Sequence, residues 1–193
     1  MRIFWLGLLL AVPGAAQSFH WGLLGGTVIQ TPYFPQINES VAFTPGALVE
    51  FRLPGPVAIE ANAIYRRQGY AGPFNAVPER DDVVGGLTSR SNVFDLPVLL
   101  KYRKPVQDFV NIFLASGYAR RWRSESFRVS GVRGSDAPVP AIAGVSTRQN
   151  GYAIGGGAEL DGGTPRMSIG YRYSRFGEFR HDKSHDVLVS FIF

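Results

Sequence analysis

The stretch "SHDVLVSFIF", residues 184–193, ends the sequence and decides the fold. Alternate residues of an extended strand lie on opposite faces. One face of this stretch is purely apolar and aromatic: Val187, Val189, Phe191 and Phe193. Terminal residues of a soluble domain usually fray and carry polar side chains. The ending therefore predicts a paired strand with one apolar side.

The beginning of the chain predicts export. Residues 1–17, "MRIFWLGLLLAVPGAAQ", combine one basic residue with an apolar run and small residues before Gln17. This is the layout of a cleavable signal peptide, with cleavage expected after Ala16, and it is too short to span a bilayer. Residues 18–193 are then expected to form one domain, which has no cysteine and so no disulfide.

Composition excludes several classes of function. The formal net charge of +5 is spread along the chain without the basic cluster of a nucleic-acid-binding protein. No metal-ligand spacing is present, and the "GGG" at 155–157 lacks the Lys and Ser/Thr of a phosphate-binding loop. We therefore expect no nucleic acid, metal or cofactor. No later stretch is apolar for long enough to form a transmembrane helix, so any membrane-spanning part must consist of strands.

Eight segments of the exported domain alternate with period two, roughly at 20–30, 43–53, 57–68, 89–103, 109–123, 149–161, 165–176 and 184–193. Short connections at 53–56, 103–108 and 161–165 alternate with longer ones at 31–42, 69–88, 124–148 and 177–183. Short turns at one end and long loops at the other are typical of outer-membrane barrels. The pattern predicts an all-β fold, an eight-stranded antiparallel up-and-down transmembrane β-barrel in the bacterial outer membrane.

The strands have one apolar and one charged face. In "NVFDLPVLLKYRK" (92–104), the apolar face runs from Phe94 to Tyr102 and the opposite face contains Asp95 and Lys101. A membrane barrel turns the apolar face to lipid, whereas a soluble barrel turns it inward. The signal peptide, the loop asymmetry and aromatic residues expected near the long loops favour the membrane: Tyr65, Tyr102, Tyr118, Trp122, Tyr171 and Tyr173. The first strand, "HWGLLGGTVIQ" (20–30), alternates too poorly to be oriented.

Two resemblances support this architecture. The ending at Phe193 resembles the C-terminal signal of outer-membrane barrels, which implies that insertion machinery reads Val187, Val189, Phe191 and Phe193 during assembly. The segments "AIEANAIYRRQGY" (58–70), "FDLPVLLKYR" (94–103) and "NIFLASGYARRW" (111–122) resemble the PorT-like family of small outer-membrane β-barrel domains. That family is defined by its fold more than by an activity, so the resemblance implies architecture.

The polar faces predict the barrel interior. Six acids and five bases are expected to face it: Glu50, Glu60, Asp95, Glu159, Asp161 and Asp186, with Arg52, Arg66, Lys101, Arg103 and Arg172. An eight-stranded interior is just wide enough for its side chains to fill it. We expect a charged network that plugs the lumen. A narrow pore for small solutes and a soluble periplasmic barrel with an internal ligand are the alternatives.

The sequence does not predict an enzyme. Ser184, His185 and Asp186 are adjacent, but successive residues of a strand face opposite ways and cannot form a catalytic relay. The long loops remain as the place for function, because loops carry binding residues more often than scaffolds do. We expect a monomer with a structural or surface-interaction role, in contact with membrane lipid and lipopolysaccharide. The loop partner stays open, and the alternative is that the loops only shield the barrel mouth.

Overall fold

Eight antiparallel strands close into a barrel in the computed structural model, which describes residues 18–29, 43–75, 84–130, 142–177 and 183–193. The strands are β1 (Ser18–Ile29), β2 (Gly46–Arg52), β3 (Val57–Asn75), β4 (Val84–Gln107), β5 (Val110–Ser130), β6 (Val145–Leu160), β7 (Arg166–Phe176) and β8 (Lys183–Ile192). Each strand pairs with its sequence neighbours, and β8 pairs with β1. The predicted fold is confirmed. The expected signal peptide, 1–17, lies outside the described residues.

The last residue takes part in closing the barrel. Phe193 donates its backbone N–H to the carbonyl of Trp21 at 2.7 Å and accepts from the Trp21 N–H at 3.3 Å. The two rings stack with centroids 4.9 Å apart. Closure removes the free edges of β1 and β8, which would otherwise be open to pairing with another chain.

Three short turns lie at one end of the barrel, together with the two ends of the described chain. The β2–β3 turn is closed by a Leu53 N–H to Val57 carbonyl bond of 3.0 Å, and Gly55 supplies a positive φ of 84°. The β4–β5 connection is shorter than the predicted 103–108, because β4 continues to Gln107 through an irregularity after Pro105. We call this the turn end, and the opposite one the loop end.

Strands β3, β4 and β5 are longer than predicted, with 19, 24 and 21 residues. Parts of the expected loops, 69–75, 84–88, 124–130 and 145–148, belong to strands. The alternation continues there, but Ser124, Ser126 and Arg128 are exposed on the outer face of β5. An apolar outer face therefore identifies only the part of each strand at membrane depth. Of the predicted loops, 31–42, 76–83, 131–141 and 178–182 lie outside the described residues, as does Gln30 of the first predicted strand.

The apolar faces point outward and the charged faces inward. Leu114 on β5 is 70% exposed, whereas Asp95 and Lys101 on β4 are 2% and 1% exposed. The soluble alternative, which needs the reverse, is wrong. The first strand is now oriented, with Trp21 and Leu23 outside and Leu24 and Val28 inside. Among the described residues, no helix is long and apolar enough to cross a membrane.

Exposed aromatic side chains lie towards both ends of the outer surface. Of the six predicted for the loop end, Tyr102 is misplaced, because it pairs with Val57 beside the β2–β3 turn. Tyr102 lies near the end of β4 that leads into the short β4–β5 turn, so its position in the strand already puts it at the turn end. The outer rings at the turn end are Phe19, Trp21, Tyr102, Phe109 and Phe193.

Candidate functional site in the barrel interior

One ionic cluster crosses the lumen near the turn end. Its central acids are Glu50 on β2 and Glu159 on β6, both fully buried. Lys101 Nζ lies 3.2 Å from Glu50 and 3.1 Å from Glu159. Arg103 Nη1 contacts the same two carboxylates at 2.9 and 3.3 Å. Because no two of β2, β4 and β6 are neighbours, these contacts join different walls of the barrel.

The rest of this turn-end network surrounds that centre. Arg166 on β7 donates to Glu50 at 3.1 Å and also pairs with Glu159. Lys101 Nζ also donates to Glu60 Oε2 at 3.1 Å. The members nearest the turns are partly exposed: Arg52 and Asp161, which lie 3.6 Å apart. The turn-end network comprises Glu50, Glu60, Glu159 and Asp161 with Arg52, Lys101, Arg103 and Arg166.

A second cluster crosses the lumen towards the loop end. Arg121 on β5 binds Asp95 through two nitrogens, at 2.7 and 2.9 Å, and Arg172 on β7 binds Asp186 at 2.8 Å. Arg66 on β3 pairs with Asp95 and also reaches Asp186 on β8, 3.3 Å away. All five are buried. These residues form the loop-end network, in which Arg66 connects nonadjacent strands.

Two contacts extend the loop-end network. The Arg121 guanidinium carbon lies 3.7 Å from the ring centroid of Phe176, the buried last residue of β7. Arg121 Nη2 also donates to Ser184 Oγ on β8 at 3.4 Å, across the lumen from β5. A flat guanidinium favours both carboxylate binding and stacking on a ring. Arg121 therefore connects residues of three other strands, β4, β7 and β8, across the lumen.

Small apolar clusters lie beside and between the two networks. One contains Leu24, Leu48, Ile64 and Ile192, and the other contains Leu99, Ala115, Ala119, Ala153 and Phe176. Phe113 points inward here, and its ring is 3.0 Å from where a Cβ at Gly170 would lie. Glycine at that position makes room for the ring.

A cavity of about 50 Å³ opens in the same layer. Its lining includes Asn62 and Arg172, whose Oδ1 and Nη1 atoms have no hydrogen-bond partner among the described residues. A cavity of this size has space for a few water molecules. Water there would give both polar atoms partners without connecting the two ends of the lumen.

The structure places all eleven sequence-predicted charged residues in these two networks. Sequence reasoning missed Arg121 and Arg166, the two partners that complete them. Each could have been found by counting alternate residues along its strand. Arg121 lies between the outward Arg120 and Trp122, and Arg166 is on the same face as Arg172. Sequence reasoning also missed a polar cluster in the lumen on the loop-end side of the second network. There Ser89 donates to Glu125 at 2.7 Å and Arg123 pairs with Glu125 at 3.0 Å.

The adjacent Ser184, His185 and Asp186 are kept apart by the strand. Ser184 and Asp186 are buried in the lumen, whereas the His185 ring contacts Tyr171 and Tyr173 on the outside. In the C-terminal segment, Phe191 and Phe193 are exposed on the outer surface while Ser190 and Ile192 are buried. Recognition of that segment by insertion machinery stays a prediction.

No protein-family model and no curated protein matches the chain. Several solved structures match it in fold. Neisserial surface protein A superposes with a TM-score of 0.60 at 10% identity, covering 92% of this chain and 98% of its own. The outer membrane protein OprG from Pseudomonas aeruginosa gives 0.53 at 9% identity, with 91% and 95% covered. Ail, the attachment invasion locus protein of Yersinia pestis, gives 0.50 at 11% identity, with 92% and 97% covered.

At these identities the likeness concerns the fold: this chain has the fold of small eight-stranded outer-membrane barrels. The apolar exterior and polar interior are those of a barrel in lipid. Together the fold and the surface place the chain in the bacterial outer membrane, as the sequence predicts. The narrower resemblance to the PorT-like family stays a prediction.

Proposed function

We propose that the protein is a closed, non-conducting barrel that anchors its loop end at the outer surface of the outer membrane, with a structural or surface-interaction role. One observation carries this proposal: two ionic networks each join nonadjacent walls across the lumen. The eight-stranded interior leaves little width beyond its own side chains. Buried groups such as Arg66, Lys101 and Glu159 occupy that width.

The networks resist opening for a physical reason. Removing one partner of a buried ion pair leaves an uncompensated charge and costs about 3–5 kcal/mol. A solute passing along the axis would have to separate Arg66 from Asp95 or Asp186, and then Lys101 from Glu50 or Glu159. Both barriers lie in series on one narrow path. Interaction with partners is therefore assigned to the outside of the barrel.

Single-channel recording tests the proposal. Purified protein whose folded gel band shifts on boiling is reconstituted in planar bilayers, and we expect no conductance steps from the wild type. The double variant Arg66→Ala, Arg121→Ala removes two large side chains from the loop-end network, and Arg120→Ala on the outer face is the matched control. Steady wild-type channels whose ion selectivity changes in the double variant would overturn the closed barrel.

A narrow pore for small solutes is the second candidate, favoured by the cavity of about 50 Å³ between the networks. It requires both networks to open transiently. Solute uptake into vesicles separates the two candidates: uptake of a small polar solute by the wild type, abolished by a bulky residue in the cavity such as Ser190→Trp, would favour the pore.

The remaining parts of the proposal concern partners. Residues 187, 189, 191 and 193 lie on the outward face that insertion machinery would read, and Phe193 is its end. The barrel is proposed to act as a monomer without enzymatic activity, and as a PorT-like domain on the strength of its motifs. A surface role is consistent with the name of Ail, which describes attachment and invasion.

A further inference from the structure

The charges of the barrel are sorted by face. The acids in the described strands all face the lumen: Glu50, Glu60, Asp95, Glu125, Glu159 and Asp186. The outward-facing charges of the same strands are all basic. One, Lys104, is at the turn end, and seven lie in the loop-end half: Arg67, Arg90, Arg120, Arg128, Arg148, Arg175 and Lys183.

Four of these cations form one patch across neighbouring strands β5 to β8. We call Arg120, Arg148, Arg175 and Lys183 the exterior basic patch. Arg175 and Lys183 are direct cross-strand partners. Arg120 is paired with Asn150, and Arg148 with Trp122, so that these two arginines lie diagonally across the β5–β6 pair. The pairing of Tyr152 with Arg175 connects the two halves of the patch.

The patch lacks an internal counter-charge. Like charges directly opposite on a strand pair are destabilising, as at Arg175 and Lys183. None of the four cations makes an ion pair with any residue that the structure describes; Arg120 lies over the Trp122 ring, 5.1 Å from its centroid. The repulsion would be relieved by an anion bound from outside. This need sets the patch apart from the lumen networks, in which the cations have carboxylate partners.

The height of the patch identifies where such an anion is found. Tyr118, Tyr152 and Tyr173 lie on the outer face of the same strands, at or next to the level of the patch on its membrane side. Tyrosine prefers the membrane–water interface, where its ring contacts acyl chains and its hydroxyl contacts water. The Tyr118 hydroxyl donates to Asn150 Oδ1 at 2.5 Å. The cations are therefore at headgroup level, beside the lipid.

We propose that the exterior basic patch binds the headgroup phosphates of lipopolysaccharide in the outer leaflet. The inference rests on the membrane placement of the proposed function but not on the closed lumen. Arginine forks bind phosphate oxygens in pairs, and Asn150 and Tyr152 add polar groups beside them for sugar hydroxyls. Of the outward-facing charges on the described strands, only Lys104 lies at the turn end, next to the other leaflet. The asymmetry fits a phosphorylated lipid confined to the loop end.

A binding experiment on the full folded barrel tests this. The dissociation constant for fluorescently labelled lipid A with two phosphates is measured by anisotropy in mild detergent, beside lipid A stripped of phosphate. The patch variant carries Arg120→Gln, Arg148→Gln, Arg175→Gln and Lys183→Gln. The matched control also removes four outward cations: Arg67→Gln, Arg90→Gln, Lys104→Gln and Arg128→Gln. A gel shift on boiling verifies folding of each protein.

Each cation near an anionic lipid surface contributes a factor of roughly five in affinity. We expect the patch variant to lose roughly a hundredfold or more for phosphorylated lipid A, and phosphate-free lipid A to bind weakly to all. The control should lose much less, because Arg90 and Arg128 lie in the strand sections beyond lipid depth and Lys104 lies at the turn end. Equal losses in both variants, or equal binding with and without phosphate, would overturn the site. Preference for a soluble sulfated polysaccharide over lipid A would likewise overturn it and reassign the patch to a different partner. A channel-forming wild type that still binds through the patch would refute only the closed lumen.

Discussion

The loop-end network gives a quantitative prediction about stability. Asp95 is 2% exposed and accepts hydrogen bonds from both Arg121 and Arg66. In Asp95→Asn, the carboxylate of Asp186 would be the one anion left in the network, bound to Arg66 and Arg172, and Arg121 would lose its only carboxylate partner. Removing one partner of a buried ion pair costs about 3–5 kcal/mol. The asparagine oxygen still accepts one hydrogen bond, so we expect the free energy of unfolding to fall by about 3 kcal/mol, at the lower end of that range.

Urea unfolding in lipid vesicles measures this change. Trp21 and Trp122 report on opposite ends of the barrel by fluorescence, and the boiling-dependent gel shift reports the folded fraction. With a urea m-value of about 2 kcal/mol per molar, the midpoint should fall by about 1.5 M. The matched control is Glu125→Gln, a lumen-facing acid at the half-open mouth that pairs with Arg123. A pair with that much solvent contact contributes about 1 kcal/mol or less.

A double-mutant cycle assigns the loss to the ion pair itself. Arg121→Gln combined with Asp95→Asn should cost less than the sum of the two single changes, with a coupling free energy above about 1 kcal/mol. If Asp95→Asn costs no more than Glu125→Gln, or the cycle shows no coupling, the ion pairs of the loop-end network do not stabilise the closed lumen.

Three further changes probe the wall, the closure and the lipid-facing surface. Gly157→Ala should destabilise the barrel by about 1–3 kcal/mol in urea unfolding, because its Cβ would overlap the Ile169 carbonyl oxygen on β7, whereas Gly162→Ala, with nothing within 4 Å, should not. Deletion of Phe193 removes both backbone hydrogen bonds to β1, and we expect membrane fractions to lose the folded band while Phe193→Tyr keeps it. Leu114→Arg places a charge at lipid depth on β5 and should cost about 2–4 kcal/mol in vesicles, against about 0–1 for Ser124→Arg near the loops.

Each of these three has an outcome that contradicts it. Equal stability of the two glycine variants would mean that β6 and β7 are not in close contact at Gly157. Normal assembly without Phe193 would separate closure from the C-terminal ring. Equal costs for the two arginine substitutions would mean that Leu114 does not face lipid.

The sequence was sufficient for the architecture wherever the membrane itself imposed the pattern. At lipid depth, each outward residue must be apolar and the charged residues must face inward, so faces such as Leu100 against Lys101 can be assigned by counting. Beyond that depth water lies on both sides of the strand, and the signal is lost. The strand residues 124–130, with Ser and Arg outside, were accordingly predicted as loop.

The interior was predictable as a set of residues but not as two networks. Which acid meets which base depends on the stagger between strands, and a one-residue slip would exchange the faces. Counting along "ARRW" (119–122) places Arg120 outside and Arg121 inside, but nothing local shows that Arg121 binds Asp95. The orientation of β1 also required its partners, because Leu23 and Leu24 are chemically equivalent until Phe191 and Ala47 fix the outer face.

The unequal strand lengths make the barrel wall differ from one side to the other. At about 3.4 Å per residue, β4 runs roughly 80 Å along its own axis, whereas β2 runs roughly 24 Å. The described strands β3 to β5 therefore rise as a screen on one side, and β7, β8, β1 and β2 end low on the other. A protein diffusing in the same membrane would meet the long described strands β3, β4 and β5 from one direction and shorter described strands from the other. Rotation about the barrel axis thus changes what a neighbour encounters, even though the apolar band is continuous around it.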